Sequence, residues 1–166
     1  MLLTSCVEIG VLTHNPYDVY DRLDRNGLYH NANFSFEAGL VRHAARYFAT
    51  IGEKPSNVRL ISLGCSLAHG VAAFARAGFD AYGVDVSHAS IDQAVKLGRA
   101  GFCRTPPCLQ QTTLTSLPFE SGWFRAGVSA DVLEHLVEGD VEAAVHEISY
   151  AARHCSTPLK TASVTT

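Results

Sequence analysis

The sequence predicts an α/β fold, a doubly wound parallel sheet with helices on both faces. Three observations carry that prediction. Short apolar runs rich in β-branched residues alternate with segments of helical period. The first clear run, "VRLISL", ends at Gly64. The second, "AYGVDV", carries an acid near its end, Asp85, 21 positions after that glycine. Alternation of this kind builds a parallel sheet with right-handed crossovers, and both faces of such a sheet are covered, so its strands read as apolar runs.

The elements follow in order. Residues 1–33 are polar, aromatic and turn-rich without a clear period, and are read as a cap or lid on a sheet domain spanning 34–166. Ser35 is placed to cap a helix, with Glu37 favourable in its first turn. Phe36, Leu40, Val41, Ala44, Ala45 and Phe48 recur at helical spacing before Gly52 stops the run. Arg42 and Arg46, one turn apart, read as a solvated face. "VRLISL" is strand one, and "GVAAFARAGF" is a short helix ended by Gly78. "AYGVDV" is strand two. Ser87 caps "HASIDQAVKLGRAG", which ends at Gly98 or Gly101. "CLQQT" reads as strand three, "LPFESGW" as a turn and "FRAGVSA" as strand four. Asp131 to His135 form a helical turn. Asp140 is expected to cap an amphipathic helix whose Val141, Ala144, Val145, Ile148 and Ala152 share one stripe. The β-branched run "TASVTT" reads as strand five.

Composition narrows the function classes. The 166 residues are 47% hydrophobic and 17% charged, which fits one folded domain with a real core. A net charge of −3 offers no basic surplus for nucleic acid. Nothing approaches the roughly 20 apolar residues of a membrane span. The opening "MLLTSCVEIGVL" lacks the basic start of a signal peptide, so the cytoplasm is the expected compartment. The five cysteines, Cys6, Cys65, Cys103, Cys108 and Cys155, show no paired metal spacing, and are expected to be free thiols in a reducing compartment. No metal is expected.

The glycine turn and the acid point to a nucleotide-like ligand. In open α/β sheets ligands sit at the carboxyl ends of the strands. Gly64 ends strand one there, Gly70 stands at the helix entrance, and Asp85 ends strand two with a carboxylate that can accept ribose hydroxyls. A dinucleotide site asks for G-x-G-x-x-G. In the row Gly64, Cys65, Ser66, Leu67, Ala68, His69, Gly70, the second glycine position holds Ser66 and the third holds His69, whose side chain would obstruct the close helix–strand packing a glycine permits. That makes a poor pyrophosphate cradle. A nucleoside ligand without phosphates needs less: one sharp turn, a ribose acceptor and an apolar slot for the base.

Residues 58–165 resemble the class I S-adenosylmethionine-dependent methyltransferases of the type 11 kind. The first family motif is similar to V-L-D-L-G-C-G-x-G, where this chain has "LISLGCSLA". The second ends strand two with an acid, here Asp85 in "GVDVS". Further on, "LPFESGWFRAGVSADVLEHL" resembles the family's L-P-F turn, strand and V-L-E-H-L. The resemblance implies a Rossmann-like sheet of order 3-2-1-4-5, shortened at the carboxyl terminus, and S-adenosyl-L-methionine as cofactor with S-adenosyl-L-homocysteine as product. It implies that Gly64, Cys65 and Ser66 pass the methionine end, that Asp85 binds the ribose and that Val86 packs on adenine. It puts Thr113 and Leu114 beside the adenine amino group and Ala130 on the methyl-transfer side. Four departures stand out. Ser62 replaces an acid in the first motif, Ser66 and Ala68 replace its later glycines, Thr113 replaces the adenine-contacting acid, and Phe124-Arg125 stands where the family has Phe-Asp. The family core usually has seven strands, so strand five is expected as an open edge that could pair with another chain, alike or different.

Methyl transfer from a sulfonium relies on alignment, with a general base where the acceptor loses a proton. His135, after strand four, is the catalytic candidate, with His69 and His30 behind it. The chain therefore reads as a methyltransferase on an unidentified, small-molecule acceptor. The alternative is a catalytically inactive relative that serves as a binding or scaffolding module. A nicotinamide-dependent oxidoreductase is disfavoured by Ser66 and His69.

Overall fold

The computed structural model describes residues 17–25, 35–101, 103–130 and 132–152. Helix α1 spans Asp18–Arg25 and α2 spans Ser35–Thr50. A 3-10 turn at Pro55–Asn57 leads into β1, Arg59–Leu63. Then come α3 (His69–Arg76), β2 (Asp80–Asp85), α4 (His88–Lys96), β3 (Leu109–Gln111) and β4 (Ala126–Ser129). A 3-10 turn at Leu133–His135 precedes α5, Glu138–Ala151. The strands pair in parallel in the order β3-β2-β1-β4, the expected doubly wound order as far as strand four. The expected strand at 161–166 lies outside the described residues, and so does its open edge.

The pleat sends alternate residues to opposite faces. Leu60 and Ala81 pack on one face against Ala44 and Phe48 of α2, Val71 and Phe74 of α3, and Ile91 and Ala94 of α4. Ile61, Leu63, Tyr82 and Val84 pack on the other against Leu114, Leu117, Phe124 and the Ala144, Ile148 and Ala151 row of α5. Both faces are thus buried, which is why the charged side chains of the central strands, Arg59, Asp80 and Asp85, stand at the strand ends.

Several expectations need correcting. Cys103 and Cys108 are not free thiols but a disulfide, because the turn through Pro106-Pro107 brings their Cα atoms to 5.4 Å, within bonding reach. Asp140 does not cap α5. Val137 holds the N-cap position, and Asp140 sits in the first turn, where it accepts a hydrogen bond from Tyr17. Val141 and Val145 leave the buried stripe and are 37% and 39% exposed, so α5 presents its Ala144–Ile148–Ala151 row to the sheet instead. The lead-in contains a helix, α1, that its sequence period does not reveal. Ser87 does cap α4, accepting from the Ser90 N–H at 3.1 Å. Trp123 is half-buried in the turn before β4, with its indole N–H buried and without an acceptor among the described residues. No helix among the described residues is long and apolar enough to cross a membrane.

Candidate functional site

The carboxyl ends of β1, β2, β3 and β4 converge where the sequence places the ligand. Gly64 leaves β1 with φ +67°, a conformation that favours glycine. A Cβ there would stand 2.4 Å from a Val132 methyl, so only a hydrogen lets the loop after β4 approach the loop after β1. Gly83 in mid-β2 serves a second close approach, because a Cβ there would meet Val71 at 2.7 Å and the Cys65 sulfur at 2.8 Å. Cys65 therefore turns its thiol into the core, where burial pushes its pKa well up, and it offers a ligand only its backbone.

Ser66 and Ala68 adopt φ values of 45° and 57°. These are the two positions where the resemblance expects glycine. The loop keeps the left-handed geometry and forces two side chains into it, at about 1–2 kcal/mol each. Asp85 is locked to the same loop. Its Oδ2 accepts the Ser66 N–H at 2.8 Å, and its Oδ1 accepts the Ser87 N–H at 2.9 Å. A carboxylate has about four acceptor positions, and these two bonds fix how it faces. Gly70 is half-buried in the first turn of α3, as expected at a helix entrance.

The end of β3 is tied to the end of β2. Thr112 donates its N–H to the Asp85 carbonyl at 2.9 Å, and Gln111 donates to the Val86 carbonyl at 3.1 Å. Val86 is half-buried. The Thr113 hydroxyl stands 3.0 Å from that of Thr115. Leu114 is buried among the α5-side core, so it forms the floor of this region. Ala130 follows β4 directly and is half-buried. Asp131 and His30 lie outside the described residues.

The histidines differ in what surrounds them. His69 opens α3, and its Nε2 accepts from the Arg99 guanidinium at 2.9 Å. Burial first, then the charges of Arg99 and Arg76, lowers its pKa to about 4. Arg99 also donates to the Leu67 carbonyl at 2.8 Å. The lone pair needed for proton transfer is thus engaged, and His69 serves to hold the glycine loop to the end of α4. His135 is exposed, with its ring edge-on to Tyr20 at 5.8 Å.

Tyr20 belongs to α1, which sequence reasoning missed. That helix crosses from α4 to α5. Asp21 accepts the Ala89 N–H at 2.8 Å at the start of α4, and this bond is the main reason its carboxyl titrates below the usual range. Tyr17 donates to Asp140 at 2.6 Å at the start of α5. The local signals were acids in the first turn, Asp18 and Asp21, bases in the last, Arg22 and Arg25, and the Asp21–Arg25 pair one turn apart, which support a helix but name no partner.

The family model for methyltransferase domains matches residues 61–154. The fold is similar to the magnesium protoporphyrin IX methyltransferase of Synechocystis PCC 6803 with bound SAM, at 16% identity and a TM-score of 0.62, over 85% of this chain and 74% of that one. A TehB-like SAM-dependent methyltransferase from Corynebacterium glutamicum shares 22% identity at a TM-score of 0.55, over 83% of this chain and 68% of that one. The YcgJ protein of Bacillus subtilis shares 23% identity at a TM-score of 0.52, over 67% of this chain and 46% of that one. A search of curated proteins by sequence found no match.

Proposed function

The chain belongs to the methyltransferase domain family, and on that premise we propose that its carboxyl-end site binds S-adenosylmethionine and delivers the methyl group to a small-molecule acceptor. One observation supports the reading: Asp85, the acid at the end of β2, is fastened to the glycine loop through the Ser66 N–H. Loop and acid thereby form one rigid cradle, and the residues present fit a nucleoside. When bound, the cofactor supplies a methyl on a leaving group already activated as a sulfonium.

This chain's own residues then bind and orient. Asp85 accepts the ribose hydroxyls. Gly64, Ser66 and the Cys65 backbone pass the methionine end, and Gly70 keeps the start of α3 open. Val86 and Leu114 wall the adenine, and Thr113 offers its hydroxyl to the amino group. Ala130 lines the side from which the methyl leaves. His135 takes a proton from the acceptor where one must be lost. Helix α1 roofs the acceptor side. In support of a small acceptor, the similar Synechocystis protein is by name a methyltransferase of magnesium protoporphyrin IX. The net charge of −3 also argues against nucleic acid.

A second reading is a binding or scaffolding module without turnover. It is favoured by the side chains forced into the loop at Ser66 and Ala68. Calorimetric titration with S-adenosylmethionine, S-adenosylhomocysteine and NAD decides first. The expected result is micromolar binding of the first two and none of NAD, with binding lost in Asp85→Ala. No binding of any of the three overturns the cofactor proposal. Binding without methyl loss across an acceptor screen moves the assignment to the second reading.

A further inference from the structure

The opposite end of the sheet holds a cavity that methyl transfer does not use. Its volume is about 310 Å³, and it is lined by Asn57, Arg59, Asp80, Arg104, Trp123 and Arg125 among others. These residues stand at or just before the amino ends of β1, β2, β3 and β4. Three arginines face one aspartate there, in a chain whose net charge is −3.

Each guanidinium is held in place. Arg59 pairs with buried Asp80 at 3.2 Å, donates to the Trp123 carbonyl at 3.3 Å and stacks 4.2 Å above the indole ring. Arg125 gives two N–H groups to one oxygen of Glu53, at 3.1 and 2.8 Å. Arg104 donates to the Ser56 carbonyl, and its backbone N–H donates to Asp80 at 2.8 Å. The Cys103–Cys108 disulfide closes the short loop that carries it. A guanidinium has five N–H donors, so these bonds orient the three groups and use less than half of each. The carboxylates nearby are already matched, Asp80 by Arg59 and Glu53 by Arg125.

Arg125 is also the residue that replaces an acid in the "LPFESGWFRAGVS" stretch, a departure for which the methyl-transfer chemistry gives no reason. A site for an anion does. We propose that this amino-end cavity binds a small phosphate-type oxyanion, free or carried on a small molecule. Arginine forks match phosphate geometry, and pre-positioned forks lose little entropy on binding. The volume lies at the low end of the roughly 300–1,000 Å³ of small-molecule sites, which suits a compact anion and not a dinucleotide.

Trp123 is the chain's only tryptophan, so its emission reports on this cavity directly. Inorganic phosphate and glycerol phosphate are titrated into the full chain at constant ionic strength against chloride, followed by Trp123 fluorescence and by calorimetry. The expected result is saturable one-to-one binding that Arg104→Gln and Arg125→Gln each weaken by roughly 10-fold or more. Arg104→Lys and Arg125→Lys retain part of it, and Asp85→Ala leaves it unchanged. Tighter inorganic phosphate assigns a free anion; tighter glycerol phosphate assigns a group carried on a small molecule. The proposal fails if neither method detects saturable binding of either probe. It also fails if a folded Arg104→Gln chain, checked by circular dichroism, keeps full affinity. The readout is independent of S-adenosylmethionine, so this result stands or falls apart from the methyltransferase reading.

Discussion

At the carboxyl ends of the four strands the chain works with backbone; at the amino ends it works with side chains. The upper end is a loop of three left-handed residues, Gly64, Ser66 and Ala68, whose amide at Ser66 grips Asp85. The lower end is a set of long cations, Arg59, Arg104 and Arg125, each steered by a carboxylate or a carbonyl. The two kinds of precision have different sources. Backbone geometry is set by a few local residues and tolerates almost no added atoms. Ion pairs are assembled from distant segments and tolerate change in proportion to their exposure.

Gly64 is the most sensitive position at the upper end. Gly64→Ala adds a methyl that meets Val132 and forces a residue with a side chain to φ +67°. The expected loss is about 1–3 kcal/mol from crowding, with about 1–2 kcal/mol more from the backbone. Urea unfolding measures it, and a loss under 1 kcal/mol would mean that the two loops do not meet as closely as described. Asp80→Asn tests the other end. It leaves Arg59 facing a neutral amide, and the expected loss is about 1–3 kcal/mol. S-adenosylmethionine affinity should not change, since the two ends share no side chain; a shift in that affinity would join them.

Smaller changes sharpen the contrast. Ser66→Gly relieves about 1–2 kcal/mol of left-handed strain against about 0.5–1 kcal/mol of added chain entropy. A net gain of about 0.5–1 kcal/mol in thermal or urea unfolding is expected. Ala68→Gly gives up a fully buried methyl worth about 0.8 kcal/mol, and should come out near neutral. His69 enters only through pH. Its pKa falls from an ordinary 6.5 to about 4 in the folded chain. The unfolded chain thus takes up a proton on His69 at a higher pH than the folded one. The contribution is complete above pH 6.5 and is lost as pH falls toward 4. His69→Gln should flatten that part of the stability profile, and an unchanged slope would remove His69 from the account.

The same contrast explains what was legible in the sequence. Gly64 and Asp85 could be read because a turn and a strand end lie within one βαβ unit, so their spacing is set by local geometry. The alternation of apolar runs and helices announced a parallel sheet, and the family resemblance implied its strand order, which the structure matches as far as β4. The Arg125–Glu53 pair spans 72 positions, and no local pattern announces it. Helix α1 was hidden for a related reason, since the polar groups that anchor it, the Ala89 amide and Asp140, lie 68 positions from Asp21 and 123 from Tyr17. Asp140 was misread as a cap because a carboxylate near a helix start looks alike in sequence whether it serves its own backbone or a distant tyrosine. The Cys103–Cys108 bond depended on a turn through two prolines that spacing alone did not reveal.

Helix α1 also carries a consequence for the order in which the molecule assembles. Its eight residues are too few to hold a helix alone in water. Its anchors lie far downstream, Ala89 at 68 positions from Asp21 and Asp140 at 123 from Tyr17. A ribosome releases α1 before its partners, and the chain can seat it only after α5 has been made. Contacts of such sequence separation close late, because the loop entropy must be met before they form. A segment made before the sheet finds its place only after it, and until then the carboxyl ends of the strands stand open to the surrounding solution.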